Sequence, residues 1–466
     1  MENVNKLDYV VRLESGDLVA AVYGLGYVGL SLCAVWLRAG ARVIGIDVNN
    51  EKINELNSGV VNHVEETIKR TVKDALAKGL FKATTDGVEA SRSSTVKFVT
   101  VPVPLREDGS SNLSAIIDVS KSIGEGLKKG DIVILESSVP PGTTSDIMKP
   151  ILEDVSRLKV EEDFLLAYSP ERILVGRAVN DIEERYPKII GGVGPKSVEA
   201  AKFLYESVAT RGVIVMSSSK AAEFEKLVEG VYRDVNIALA NELAKLTAEL
   251  GLDYLEVAKV ANTQPYCHLH QPGVGVGGAC IPVYPMFLSY MAKEKEVDFP
   301  LVRLARKVNL EMPNYTVRLA SMVLAKLKIE EPRIAILGLA FRGDVDDTRL
   351  SPTYDLLREL LKLGFNNFVV HDPYIKYDAM LEELDITLTN EIKEALINAD
   401  LVIVATDHSI YKTLPLMKLK DLTGKPQIGV VDGRNIVIEW VEPPEGVVYV
   451  GIGRALRFKG DLKGQF

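Results

Sequence analysis

The chain is poor in cysteine, with 3 in 466 residues. So few scattered thiols cannot build a disulfide framework, which favours a reducing compartment and an expected cytoplasmic location. Long basic stretches are also missing, and the net charge is -9. Nucleic acid is therefore not an expected partner, and an anionic small molecule would need a locally basic pocket. The first residues, Met1 to Asp8, lack the apolar core of a secretory signal. One charge-free stretch, Leu18 to Leu37, is long enough in principle to cross a membrane. However, Gly24, Gly26 and Gly29 interrupt it, so it reads as a buried strand, a tight turn and a buried helix. No membrane association is expected. Cys267, His268 and His270 are neighbours without the spacing of a structural zinc site, so no metal is expected either.

What is present is an ordinary globular composition, 47% hydrophobic and 26% charged, in a chain long enough for about two to four domains. Leu18 to Tyr23 is a continuous apolar run, suited to a parallel strand covered on both faces. Gly24-Leu25-Gly26-Tyr27-Val28-Gly29 follows, with Tyr27 and Val28 also candidates to contact the cofactor, then a helix with Leu30, Cys33, Ala34 and Leu37 on one face, then a second strand ending at Asp47. This is a dinucleotide fingerprint in its proper context. Gly24 would make the turn, Gly26 would admit the pyrophosphate, and Gly29 would allow close helix packing. Free N–H groups at the helix start favour the phosphates. Asp47 should bind both ribose hydroxyls, and no arginine follows it to meet a 2′-phosphate, so the expected cofactor is NAD.

Further apolar strands end at Pro102-Val103-Pro104, at Ser137-Ser138 before Pro140-Pro141-Gly142, and at Ser169-Pro170-Glu171-Arg172. Ligands bind beyond the carboxyl ends of such strands, which makes Pro102, Ser138, Glu171 and Arg172 candidates. A long helix is expected from Ala221 to Leu250, stopped by Gly251 and carrying Lys226 beside an apolar stripe. It is too apolar to stand alone and is expected at a domain or subunit interface. Cys280 closes the glycine-rich run Pro272 to Pro282, where Gly275 and Gly277 permit close approach of a ligand. A thiol so delivered can act as a nucleophile, or can simply be a small buried hydrophobe. A second α/β unit begins near Arg333. Its glycine turn is followed by Arg342 and Arg349, which could hold phosphates bidentately, and a later strand ends near Arg434.

The segments GLGYVG, ESSVPPGTT, SPERILVG, the helix AEFEKL…YRDVNIALANE, PGVGVGGACIP, GLAFRGDVDDTRLSP and VVDGRN, in that order, resemble the UDP-sugar 6-dehydrogenase family over nearly the whole chain. SPERILVG and PGVGVGGACIP are more similar to the branch acting on UDP-N-acetylhexosamines than to the UDP-glucose branch. The resemblance implies two Rossmann-like doubly wound parallel-sheet domains joined by a long central helix. Their expected bounds are residues 18–215 for NAD, 216–325 for a helical dimerisation region, and 326–466 for the UDP-sugar. It implies a homodimer or dimer of dimers, and two-step oxidation of the C6 alcohol through a thiohemiacetal and thioester. Cys280 matches the nucleophile, Lys226 the lysine that stabilises negative oxygen, and Glu171 the carboxylate that assists water or proton transfer. Arg172, Gly275, Gly277, Arg342, Arg349 and Arg434 fall at the substrate end.

Four positions depart from the family pattern. Asn is usual where Gly230 stands, Asp where Tyr284 stands, and the N-acetylhexosamine branch carries His at Ala279 and Arg at Tyr266. These departures leave three alternatives: a different sugar such as that of UDP-glucose, a rerouted reaction, or a nucleotide-sugar-binding relative with impaired catalysis. A two-electron hydroxyacid dehydrogenase would share the first half of the chain, but would give no reason for Cys280 or the second α/β unit.

Overall fold

A computed structural model describes residues 6–436 and 442–459. It resolves into two units, one ending at Glu229 and one beginning at Gly230. In the first, short apolar runs form β1 (Val19–Tyr23), β2 (Arg42–Ile46), β3 (Phe81–Thr84), β4 (Val96–Val99), β5 (Ile132–Leu135), β6 (Leu165–Tyr168), β7 (Lys188–Gly192) and β8 (Val213–Val215). Most show no polar–apolar alternation because helices cover both faces of the sheet. The sheet order is β3-β2-β1-β4-β5-β6-β7-β8, parallel except between β6 and β7. One face buries Leu30, Trp36, Phe98 and Tyr205, with the Trp36 and Phe98 rings stacked 5.1 Å apart. The other buries Tyr23, Ile123, Leu152 and Phe164. The stretch Leu18 to Leu37 is thus a strand, a turn and the helix Tyr27–Arg38, as its broken periodicity indicates.

The second unit repeats the plan. Its strands are β9 (Ile334–Leu337), β10 (Phe368–His371), β11 (Thr387–Thr389), β12 (Leu401–Val404), β13 (Ile428–Asp432) and β14 (Val447–Gly451). Their order is β11-β10-β9-β12-β13-β14, all parallel. With β1 and β9 as first strands, both sheets contain the doubly wound order 3-2-1-4-5-6, which opens a crevice at its reversal point. The long helix runs Ser219–Glu249, and Gly251, with φ +71°, turns the chain away from it. The division between the units falls inside this helix. Among the described residues, no helix is long and apolar enough to cross a membrane.

Candidate functional site

In the first unit, the crevice is at the tips of β1 and β4. Gly24 has φ +95°, and a Cβ there would press on the Thr100 carbonyl at 3.0 Å. At Gly29 a Cβ would lie 1.8 Å from the Gly24 carbonyl oxygen, so no side chain fits where the helix meets the turn. Nothing lies within 4 Å of the place a Gly26 Cβ would take, which leaves the turn open to a ligand. Asp47, just past β2, accepts from the Leu25 amide at 3.0 Å, the Asn49 amide at 3.0 Å and Lys52 Nζ at 2.8 Å. Burial alone would raise its pKa, but these donors outweigh that and hold it below the usual carboxylate range. A cavity of about 340 Å³ opens beside it, lined by Leu25, Asn49, Lys52 and Asn62 among others. Tyr27 stacks on His63 at 4.5 Å, and its hydroxyl accepts from the Gly176 amide at 2.8 Å. Val28 packs against the first core, Pro102 is exposed beyond β4, and Ser138 is half-buried beyond β5. An open turn, a helix start without a side-chain cap and an oriented acid fit an adenine dinucleotide.

Glu171 stands past β6, 8% exposed, in direct ion-pair contact with Lys188 at the start of β7. Lys188 also reaches Glu136 at 3.1 Å, and Glu136 in turn accepts from the Tyr205 hydroxyl. Burial disfavours the lysine's charge, but the two carboxylates together keep it charged. Burial, with Glu171 adding to it, pushes Glu136 well above the ordinary carboxylate range. Two carboxyls, one ammonium and one phenol thus share a buried cluster. Arg172 next door is held by the Pro187 carbonyl, by Glu229 at 3.5 Å and by the Tyr186 ring at 5.7 Å. Lys226 lies within 3.6 Å of Glu229 on the next turn. Lys188 has no signal in the sequence, since Arg185-Tyr186-Pro187-Lys188 reads locally as a charged surface segment. Glu223 has none either, because a single glutamate on a helix reads as a solvated side chain. It receives the amides of Gly142 at 2.5 Å and Thr144 at 2.8 Å and the Thr144 hydroxyl at 2.6 Å, tying the long helix to the loop after β5.

In the second unit, the glycine-rich loop lies on the segment between β9 and the helix Pro352–Lys362. The Gly278 amide donates to the Arg349 carbonyl at 2.8 Å. A Cβ on Gly275 would meet Pro352 at 2.7 Å, and one on Gly277 would meet the Leu350 carbonyl at 2.6 Å. A Cβ on Gly273 would meet Arg434 Nη1 at 2.8 Å. The structure therefore brings Gly275, Gly277, Arg349 and Arg434 into one region. Arg434 pairs with Asp407 at 3.0 Å, and Arg349, largely exposed, pairs with Asp347 at 2.5 Å. Arg342 is half-buried in the same segment. Cys280 is an exposed free thiol at the end of the loop. A buried polar chain supports that loop from behind. Arg306 pairs with Asp234 at 2.8 Å, Asn309 donates to Asp234 at 2.8 Å, Asn241 donates to Asn309 at 2.9 Å, and the Gly273 amide donates to Asn241 at 3.0 Å. None of these four side chains was a sequence candidate; only their meeting in space gives them a role.

The second unit has an acid at the equivalent place, past its second strand, and that acid too holds the turn after the first strand. Asp372, past β10, accepts the Leu339 and Ala340 amides at 2.9 Å each, and also meets His408 Nε2 at 3.1 Å. Its carboxylate caps the amides that follow the glycine turn of this unit. Two of the departures from the family pattern prove to touch: a Cβ on Gly230 would lie 2.4 Å from Cδ2 of Tyr284. Ala279 is half-buried before the thiol, and Tyr266 is 90% exposed. Among the described residues, no cluster of His, Cys, Asp and Glu is arranged to hold a metal ion.

Two parallel sheets of this order, the first with an open dinucleotide turn, define an NAD-binding α/β dehydrogenase. The models of the UDP-glucose/GDP-mannose dehydrogenase family match at residues 19–209 for the NAD binding domain, 220–311 for the central domain and 335–439 for the UDP binding domain. The chain belongs to that family. It is 37% identical over 437 residues to a UDP-N-acetyl-D-mannosamine dehydrogenase of Pyrococcus horikoshii, covering 93% of this chain and 99% of the other. It is 35% identical over 407 residues to an NDP-N-acetyl-D-galactosaminuronic acid dehydrogenase of Ralstonia solanacearum, covering 86% and 93%. A solved UDP-D-ManNAc dehydrogenase from Pyrococcus horikoshii superposes with a TM-score of 0.84 at 35% identity, covering 94% of this chain and 99% of that one.

Proposed function

We propose that the protein oxidises the C6 alcohol of a UDP-N-acetylhexosamine to the carboxylate in two NAD-linked steps, with Cys280 as the nucleophile. The observation that carries this reading is an exposed thiol at the end of a glycine loop seated on the Arg349 segment, in a chain that also holds an open dinucleotide turn. The choice of sugar is supported by the N-acetylhexosamine names of the relatives above. NAD held by the Gly24–Gly29 turn and Asp47 would accept one hydride at each oxidation. Loss of hydride and a proton from the alcohol leaves an aldehyde. The Cys280 sulfur adds to its carbonyl carbon, and the oxygen takes a proton, giving a thiohemiacetal. Loss of a second hydride and of the hydroxyl proton leaves a thioester. Water then attacks the acyl carbon, and the carbon–sulfur bond breaks to return the thiol. Overall, one alcohol, one water and two NAD⁺ become one carboxylate, two NADH and three protons.

In this scheme, Lys226 stabilises negative charge on the reacting oxygen. Glu171 accepts the proton of the alcohol or of the attacking water, and its ion pair with Lys188 orients it for that task. Arg172, Arg342, Arg349 and Arg434, with the backbone at Gly275 and Gly277, receive the UDP-sugar. Phosphate would then exchange with Asp347 and Asp407 for their arginines. Two copies associate through the exposed face of the long helix. The purified protein, given NAD and a panel of UDP-sugars, should yield two NADH per sugar consumed, with the uronate as product. Replacing Cys280→Ala should stop acid formation while leaving NAD binding intact. A yield of one NADH per sugar would remove the thioester step. UDP-sugar binding by calorimetry without any turnover would instead favour a non-catalytic relative.

A further inference from the structure

The exchange at residues 230 and 284 has a mechanical consequence for the thiol. Tyr284 is 6% exposed and opens the helix Tyr284–Glu294. Its amide and that of Val283 both donate to the carbonyl of Cys280 at 3.0 Å. The backbone of the thiol-bearing residue is thus capped by the same turn that carries the Tyr284 ring. That ring lies so close to the long helix that a methyl on residue 230 would sit 2.4 Å from Cδ2, 3.2 Å from Cγ and 3.3 Å from Cβ. Carbon atoms pack at about 3.5–4.0 Å, so the ring would have to retreat by about 1 Å. Contact with Cγ and Cβ as well as Cδ2 means that the retreat cannot be taken up by ring rotation alone and must pass into the backbone of the turn. Gly230 is buried inside a helix, where glycine is otherwise costly relative to alanine. Its value here is the seat that it leaves for the ring.

We propose that Tyr284, seated on Gly230, is a positioning residue for Cys280: it fixes the turn that sets where the thiol stands. This rests on the reading of Cys280 as the nucleophile. Gly230 and Tyr284 then act as one steric unit. Neither contacts the reacting atoms in this account; both act through the Cys280 carbonyl.

The test is a double-mutant cycle of Gly230→Ala and Tyr284→Ala, with Tyr284→Phe as the conservative variant. Two readouts are taken on the full chain. One is the pH profile of iodoacetamide alkylation, read on the peptide bearing Cys280. The other is kcat and the KM for NAD with the UDP-sugar that the wild type turns over. Gly230→Ala should shift the alkylation midpoint and lower kcat by about a hundredfold, the scale of a 1 Å misplacement, with the KM for NAD almost unchanged. In the Tyr284→Ala background, where only the 3.3 Å approach to Cβ remains, the added methyl should cost far less than it does beneath the ring. Tyr284→Phe should keep the wild-type alkylation profile. Gly230→Ala with a wild-type profile and kcat overturns the proposal, as does an equal effect of the methyl with and without the ring. If Gly230→Ala fails to fold, Tyr284→Ala alone decides, and an unmoved alkylation profile overturns it. A wild type that makes no acid, but whose alkylation follows these expectations, leaves the seat standing and removes the proposed reaction. Two NADH per sugar with indifferent alkylation does the reverse.

Discussion

Glu223 shows what a single residue can impose. It is buried, and burial raises its pKa to about 7 against the hydrogen bonds from Gly142 and Thr144 that work to lower it. Its folded value therefore lies above the ordinary carboxylate value, so the folded state binds the proton more tightly than the unfolded state. The stability this supplies is fully present below about pH 4.5 and is lost as the pH rises through about 7. A shift of this size corresponds to roughly 3 kcal/mol. Glu223→Gln fixes the group in a neutral form and should remove the slope. Urea unfolding at pH 5 and pH 8 checks this: the variant, whose amide nitrogen cannot accept as a carboxyl oxygen does, should carry a pH-independent offset, and the wild type should weaken relative to it from pH 5 to pH 8. A wild type that gains on the variant with rising pH would reverse the sign and remove the argument.

At the scale of elements, the polar chain Arg306–Asp234–Asn309–Asn241 joins the long helix to the helix Pro300–Leu310 and ends on the Gly273 amide. Asp234 is fully buried and Arg306 is 6% exposed. Removing one member of a buried pair leaves the other charge uncompensated and costs about 3–5 kcal/mol. Arg306→Met should therefore destabilise the protein by that order in denaturant unfolding. Asn241→Ala should cost less, about 1–3 kcal/mol for the orphaned partners, and should raise the KM for the UDP-sugar, because the loop start loses its tether. An Asn241→Ala protein with unchanged KM would separate this chain from the substrate loop. The same elements show what can be read without coordinates. The turn from Gly24 to Gly29 and the acid at Asp47 are legible because local spacing alone dictates them. The long helix is legible from its period and from Gly251. The buried cluster around Lys188 is not, because β7 runs antiparallel to β6 and only that reversal carries the lysine under Glu171. Nor is the contact between residues 230 and 284, which are 54 positions apart and carry no local signal of their meeting.

For the whole molecule, the long helix has two apolar faces with different fates. Leu227, Ala238, Ala240 and Ala244 are buried. Tyr232, Leu239, Leu246 and Leu250 lie outside, with Leu246 56% and Leu250 62% exposed. They recur at spacings of four and seven residues, so they share a stripe. Leu301 and Leu304 on the helix Pro300–Leu310 are also exposed. A contiguous apolar stripe is costly to leave in water, at about 25 cal/mol per Å². A second copy offers an identical stripe, and an isologous pair satisfies both at once. Sedimentation velocity at micromolar concentration should therefore show a dimer or a multiple of one. Leu246→Lys places a charge on the stripe twice in every dimer, once from each copy, because two-fold symmetry repeats the change. It should shift the protein toward monomer, and lower salt should deepen the effect through repulsion between the paired lysines. A wild type that sediments as a monomer, or a Leu246→Lys variant that keeps its oligomer at all salt concentrations, would show that this face is not where two copies meet.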